Sequence, residues 1–302
     1  MPISIEEPNI DTDAEAMIDL SIQAYPFQLQ SVEALRYSTK KNQNNPDLLS
    51  LVAKSDGEVI ARAVAGPHEE MGNTDSGKVG IIVDHRYRGQ GIGTRILDRV
   101  MPHVSRFPFH AVTSYVTGDD GMRFANEHGF VKTRTAHISR LNLADAAAAP
   151  PAPEGVQFRD FRQVDDPELI FELESAVVSD IPADEPIVSL PYEKWKSQFY
   201  DNPRNDMDSS IVAFDGDQAV GLTWQDRIGE RIWTGMTGTL ADHRGRGLAK
   251  AMKARSMALA HAQGAVVAYT DNDASNAPML AVNRWLGYHP YVEQHTVVRS
   301  LT

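Results

Sequence analysis

The chain has 302 residues, a formal net charge of −12 and no cysteine. Two domains of ordinary size fit that length, each large enough to bury its own core. The missing thiols exclude disulfides, thiolate metal ligation and cysteine nucleophiles, and the acidic balance argues against a nucleic acid or an anionic membrane as partner.

Glu6, Glu7, Asp11 and Asp13 stand where a secretory leader would be basic and then apolar, and no stretch is apolar for long enough to span a bilayer. A soluble, cytoplasmic protein is expected. A helix is predicted over 14–23. Apolar, β-prone runs at 48–54 and 59–65 are joined by Ser55-Asp56-Gly57-Glu58, a hairpin signal. After a polar loop over 67–76, a strand at 78–83 leads to Arg88-Gly89-Gln90-Gly91-Ile92-Gly93. The helix opening there would bury Ile92, Ile96, Leu97 and Val100, and Pro102 is expected to end or kink it. A strand at 110–116, a short helix at 121–128 and an alternating strand at 131–141 close the first half. Small residues and prolines fill 144–155, so domains are drawn at 1–145 and 156–302 with 146–155 as linker. The second half repeats the order: helix 166–178, strands 211–214, 219–224 and 232–240, helix 248–263 capped by Gly264, and strand 265–270.

Landmarks recur at matching offsets. Arg244-Gly245-Arg246-Gly247-Leu248-Ala249 follows the first glycine turn by 156 residues, Asp215-Gly216 follows Asp56-Gly57 by 159, and Gly287-Tyr288 follows Gly129-Phe130 by 158. Kept order and spacing indicate internal duplication. Strands followed by a strand–turn–helix crossover imply an α/β (α+β) fold with a mixed sheet and helices on both faces. Each glycine turn aims backbone N–H groups outward ahead of a helix with a positive end, a cradle suited to a pyrophosphate. A nucleotide-like cofactor is expected. Two antiparallel strands precede the turn, unlike a Rossmann site, and no Gly-Lys-Ser or Gly-Lys-Thr marks a P-loop.

At these turns the chain resembles the GNAT-type N-acetyltransferase superfamily, whose signature is Arg or Gln, two residues, Gly, one residue, then Gly or Ala. Arg88, Gly91 and Gly93 match it, as do Arg244, Gly247 and Ala249. Val83 and Thr239 hold the strand position five residues earlier, and His128-Gly129-Phe130 and Leu286-Gly287-Tyr288 resemble the Leu-Gly-Phe end of the later helix. The resemblance implies two GNAT-like domains in tandem, each a mixed, splayed sheet flanked by helices. The two-copy architecture is similar to that of mycothiol synthase-like enzymes.

The resemblance further implies acetyl-CoA, with its pyrophosphate on the turn and its pantetheine arm along the preceding strand. In the second copy the implied contacts are Thr239, Leu240, Ala241, Arg244, Gly245, Arg246, Gly247, Leu248, Ala249, Lys250, Asn276 and Asn283. In the first they are Val83, Arg88, Gly89, Gln90, Gly91, Ile92, Gly93 and Thr94. Asn276 reads first as a helix cap, the usual role of an isolated Asn. The family's tyrosine acid has Ala125 and Asn283 at its positions, neither able to supply a proton. The second copy keeps a longer 272–285 segment, so chemistry is expected there, with Asn283, Asp180 and Glu185 as catalytic candidates and the first copy degenerate. Between 160 and 208, 13 acidic residues face 4 basic ones. They form either a solvated face or a mouth attracting a cationic amine through Asp180, Asp184 and Glu185. The ten histidines show no metal-ligand spacing, and no metal is expected. Direct acetyl transfer to a small amine by a monomer or homodimer is the leading reading. A CoA-binding sensor, or a transferase of a larger acyl group, is the alternative.

Overall fold

The computed structural model describes residues 3–68, 76–178, 189–272 and 276–301. The chain divides into one unit of Met1–Thr135 with Glu293–Thr302 and another of Ala136–Val292.

In the first unit, β1 (Ile3–Glu6) leads to α1 (Ile10–Ala24), whose start Asn9 caps by accepting from the Asp11 N–H at 3.1 Å. The polar helix α2 (Val32–Lys41), not foreseen from the sequence, begins at a Ser31 cap accepting from the Ala34 N–H at 3.0 Å. Strands β2 (Leu49–Ser55) and β3 (Glu58–Pro67) form the expected hairpin, with Asp56 and Gly57 at φ 49° and 83°. Two left-handed residues in a two-residue turn match the twist of the flanking strands. Next come β4 (Ser76–Val83), α3 (Ile92–Val104), β5 (Ala111–Thr117), α4 (Gly118–Glu127) and β6 (Val131–Asn142). Pro102 does not stop α3, which runs on to Val104. Its ring falls in the last turn and displaces one bond, to the carbonyl of the exposed Asp98.

The second unit contains β7 (Val156–Asp160), the short α5 (Phe161–Val164), α6 (Pro167–Val178) and α7 (Tyr192–Trp195). Strands β8 (Ile211–Asp215), β9 (Gln218–Ile228) and β10 (Arg231–Thr239) follow, then α8 (Leu248–Ala262), β11 (Val267–Asn272) and α9 (Ala277–Leu286), and the chain ends with β12 (His289–Ser300), most of which belongs to the first unit. Asp160 and Gln163 close a capping box at α5.

The closing strands are exchanged. The end of β12 pairs antiparallel with β5 inside the first unit, from Gln294 opposite Thr117 to Ser300 opposite Ala111. The end of β6 pairs with β11 inside the second, from Asn142 opposite Val267 to His137 opposite Asn272. Compactness therefore does not follow the 1–145 and 156–302 division drawn on the proline-rich segment. Alternation marks β6 in the sequence but not the edge it joins, and β12 was not foreseen from the sequence.

In each unit two central strands part. Among the described residues, β4 and β5 pair in parallel only from Ser76 opposite Ala111 to Lys78 opposite Thr113, and β10 and β11 only from Arg231 opposite Val267 to Trp233 opposite Tyr269. Behind β3 and β4, Ile92, Ile96 and Val100 of α3 bury against Ile60, Val112 and Val297. In the second unit Trp195, Phe161 and Trp224 form one buried cluster, and Met257, Leu286 and Tyr288 another.

Candidate active site

The approach to the first glycine turn is built from local hydrogen bonds. Asp84 accepts from the Arg86 N–H at 2.8 Å and starts one 3-10 turn over His85–Tyr87. Arg88 then reaches back, Nε donating to the Val83 carbonyl at 3.2 Å. Gly89 and Gly91 lie at φ 73° and 76°, which disfavours any side chain, and the space where their Cβ atoms would stand is open. Gly93 has a steric reason instead, because a Cβ there would meet the Phe124 ring at 3.0 Å. The α3 ladder takes up with the Arg95 N–H donating to the Gly91 carbonyl at 3.0 Å, so the N–H groups just before it form the helix's positive end. The second turn repeats this construction: Arg244 donates to the Thr239 carbonyl at 3.2 Å, and Gly245 and Gly247 lie at φ 77° and 79°. In both copies the motif arginine holds the turn to the strand that delivers it.

A cleft of about 610 Å³ opens in the first unit where β4 and β5 part. Val83, Arg88, Gly89, Gly91, Ile92, Gly93 and Thr94 line it, and Gln90 is exposed beside it. Residues not singled out from the sequence complete the walls. Tyr25, Tyr115 and Phe124 line the cleft, and His68 Nε2 lies 3.1 Å from Tyr115 Oη. The Tyr25 hydroxyl donates to the Tyr115 carbonyl at 2.9 Å, tying the chain after α1 to β5. Burial pushes the Tyr25 phenol above its ordinary pKa, with the charge of Arg88 opposing the shift. No motif marks these positions. The available signal was that a strand continuing past its partner at a splay presents its next side chains to the gap.

The corresponding positions of the second unit are filled differently. Leu97, Ala125 and Phe130 of the first copy correspond to Lys253, Asn283 and Tyr288. Asn283 is 2 % exposed; its Oδ1 accepts from Lys253 Nζ at 2.6 Å, and its amide donates to Asn272 Oδ1. Lys253 lies 5.0 Å from the Tyr288 ring centroid, and burial lowers its pKa to about 7. Asn276 caps α9, accepting from the Met279 N–H at 3.3 Å. Leu248 is buried, Thr239, Leu240, Ala249 and Lys250 are half-buried, and Ala241, Arg244, Gly245, Arg246 and Gly247 are exposed. Lys250 Nζ stands 3.7 Å from the Trp285 ring centroid, and Arg246 pairs with Asp215 at 2.5 Å. Asp180, Asp184 and Glu185 lie outside the described residues. Among the described residues no helix is long and apolar enough to cross a membrane.

A mixed sheet parting above a glycine turn, carried twice, defines a tandem GNAT fold. Residues 14–130 match the acetyltransferase (GNAT) family. It is 24 % identical over 227 residues to a mycothiol acetyltransferase of Nocardioides sp., covering 69 % of this chain and 75 % of that one. Its fold is similar to a GCN5-related N-acetyltransferase from Sphaerobacter thermophilus, with a TM-score of 0.75, 20 % identity, and 99 % and 95 % of the two chains covered. It is also similar to a tandem GNAT protein from the clavulanic acid biosynthesis pathway, with a TM-score of 0.74, 17 % identity, and 99 % and 98 % covered.

Proposed function

We propose that the protein transfers an acetyl group from acetyl-CoA to the primary amine of a small molecule, and that the first unit's cleft holds the cofactor. The cleft itself carries this reading. Along β4, residues 79–83 pair with β3 on one side and lie past the end of the β5 ladder on the other. That free edge suits the amides of a pantetheine arm, as an added strand would. Below it, the open Gly89 and Gly91 backbone and the positive end of α3 suit a diphosphate. The volume falls in the range of small-molecule sites. Acetyl-CoA would supply an activated acyl carbon. The protein would hold its diphosphate on the turn, guide its arm with the β4 backbone and exclude water with Leu97, Phe124 and Phe130.

The absence of cysteine favours direct transfer over a thioester-enzyme intermediate. The acid-rich segment 160–208 favours a cationic acceptor. The longer 272–285 segment pointed to the second copy, whereas the cleft favours the first. A second reading, a CoA-binding sensor, draws on Ala125, which leaves the usual acid's position without a proton.

Calorimetry with coenzyme A and thiol release from acetyl-CoA across a panel of primary amines test this. Gly91→Val, which adds a β-branched side chain at φ 76° in the open cradle, should weaken coenzyme A binding by at least about tenfold. Gly247→Val should spare binding in the first unit. Unchanged binding in Gly91→Val overturns the cofactor site, and tight binding without turnover of any amine favours the sensor.

A further inference from the structure

Three tyrosines line the first unit's cleft: Tyr25, Tyr87 and Tyr115. Their hydroxyls have different partners. Tyr25 donates to the Tyr115 carbonyl at 2.9 Å, a bond that fixes backbone. Tyr87 donates to the Glu58 carboxylate at 3.3 Å, an acceptor with no proton to return. Tyr115 Oη lies 3.1 Å from His68 Nε2, a ring nitrogen able to give a proton and take one back.

Tyr115 also sits where chemistry in this cleft would occur. It lies two residues past Thr113, the last β5 residue paired with β4, and so at the mouth of the splay. Its carbonyl is held by Tyr25, its ring meets the His68 ring edge-on with centroids 6.1 Å apart, and Lys78 Nζ of β4 stands 5.3 Å from its centroid. The backbone is therefore held by Tyr25 and the ring flanked by His68 and Lys78, an arrangement that keeps a reacting group in place.

We infer that Tyr115 is the proton donor of the acetyl transfer and that His68, 47 residues earlier in sequence, is the positioning residue that restores its proton. The inference rests on the proposed acetyl-CoA site. As the bond from the acyl carbon to the acceptor nitrogen forms and the carbon–sulfur bond breaks, Tyr115 gives its Oη proton to sulfur. His68 Nε2 returns a proton to Oη, and the proton shed by the acceptor nitrogen restores His68. The net change is one proton moved from nitrogen to sulfur, which is what amide formation from a thioester and an amine requires. Alanine at position 125 is then no obstacle, because the proton arrives from β5 and not from α4.

A test needs no knowledge of the acceptor. Coenzyme A bound to the full chain is titrated from neutral to alkaline pH while ultraviolet absorbance of its thiolate is followed. A hydroxyl donating to sulfur stabilises the thiolate, as does the charge of Lys78, so Tyr115→Phe should raise the bound thiol's pKa by about one unit, a tenfold change in its ionisation constant. His68→Gln, which keeps a hydrogen-bonding group, should raise it by less. Calorimetry on the same variants at neutral pH, where the thiol stays protonated, should still show coenzyme A binding, so that the site is known to fold. An unmoved thiol pKa in Tyr115→Phe, with binding intact, overturns the inference and leaves the cofactor site standing. Failure of the wild-type protein to bind coenzyme A removes both.

Discussion

Burial sets the protonation of two side chains in opposite senses. Lys253 is 1 % exposed and its pKa is lowered from 10.5 to about 7. The folded state therefore prefers the neutral amine, and stability is lost as pH falls from the unfolded value through the folded one. Wild-type protein should gain stability between pH 7 and 10 with a slope approaching ~1.4 kcal/mol per pH unit, and Lys253→Met should flatten it, as read from urea unfolding at a series of pH values. Glu174 runs the other way. Desolvation raises its carboxyl to about 7, so its protonated form is favoured and stability declines as pH rises from 4.5 to 7. Glu174→Gln should remove that decline in the same series. At this scale the sequence disclosed the glycines and the motif arginines, because backbone demands at a tight turn restrict residue type. It did not disclose Tyr115 and His68. A residue just past the end of β3 and one on β5, 47 apart, become neighbours only through a register that no local pattern encodes.

Hairpins, capped helices and the strand before each turn were legible because each is specified within a dozen residues. α2 was missed, being short and polar with no buried residue. The end of α3 was drawn too early, since a proline in a last, exposed turn costs little. β12 (His289–Ser300) was not foreseen from the sequence, and its place in the fold lies far from its place in the chain. Val297, fully buried, packs in the first unit's core and lines its cleft although it stands near the chain's far end. Val297→Ala should cost about 1–3 kcal/mol in chemical unfolding and loosen coenzyme A binding in calorimetry. A variant that lost stability but kept full affinity would separate β12 from the cofactor site. In the second unit Trp195, 2 % exposed among Phe171, Tyr192, Tyr200 and Trp224, should cost about 3–5 kcal/mol when changed to alanine.

Each unit contains a closing strand from the other half of the chain. A fragment of residues 1–145 contains the family match over 14–130 yet lacks the strand that pairs with β5. It should expose that edge and aggregate, whereas adding a peptide of residues 289–302 should restore protected β5 amides in hydrogen exchange. A fragment 1–145 that folds and binds coenzyme A alone would show the exchange to be dispensable. What the sequence settled unaided was duplication, an α/β fold, two glycine turns and the absence of cysteine chemistry, each following from residue type and spacing along the chain. Which strand closes which sheet, where the cleft opens, and which tyrosine faces a proton partner were settled only by tertiary structure. Those outcomes depend on register and on side-chain volume across the splay, where Leu97 and Ala125 border the open cleft of one copy while Lys253 and Asn283 bond to each other in the interior of the other.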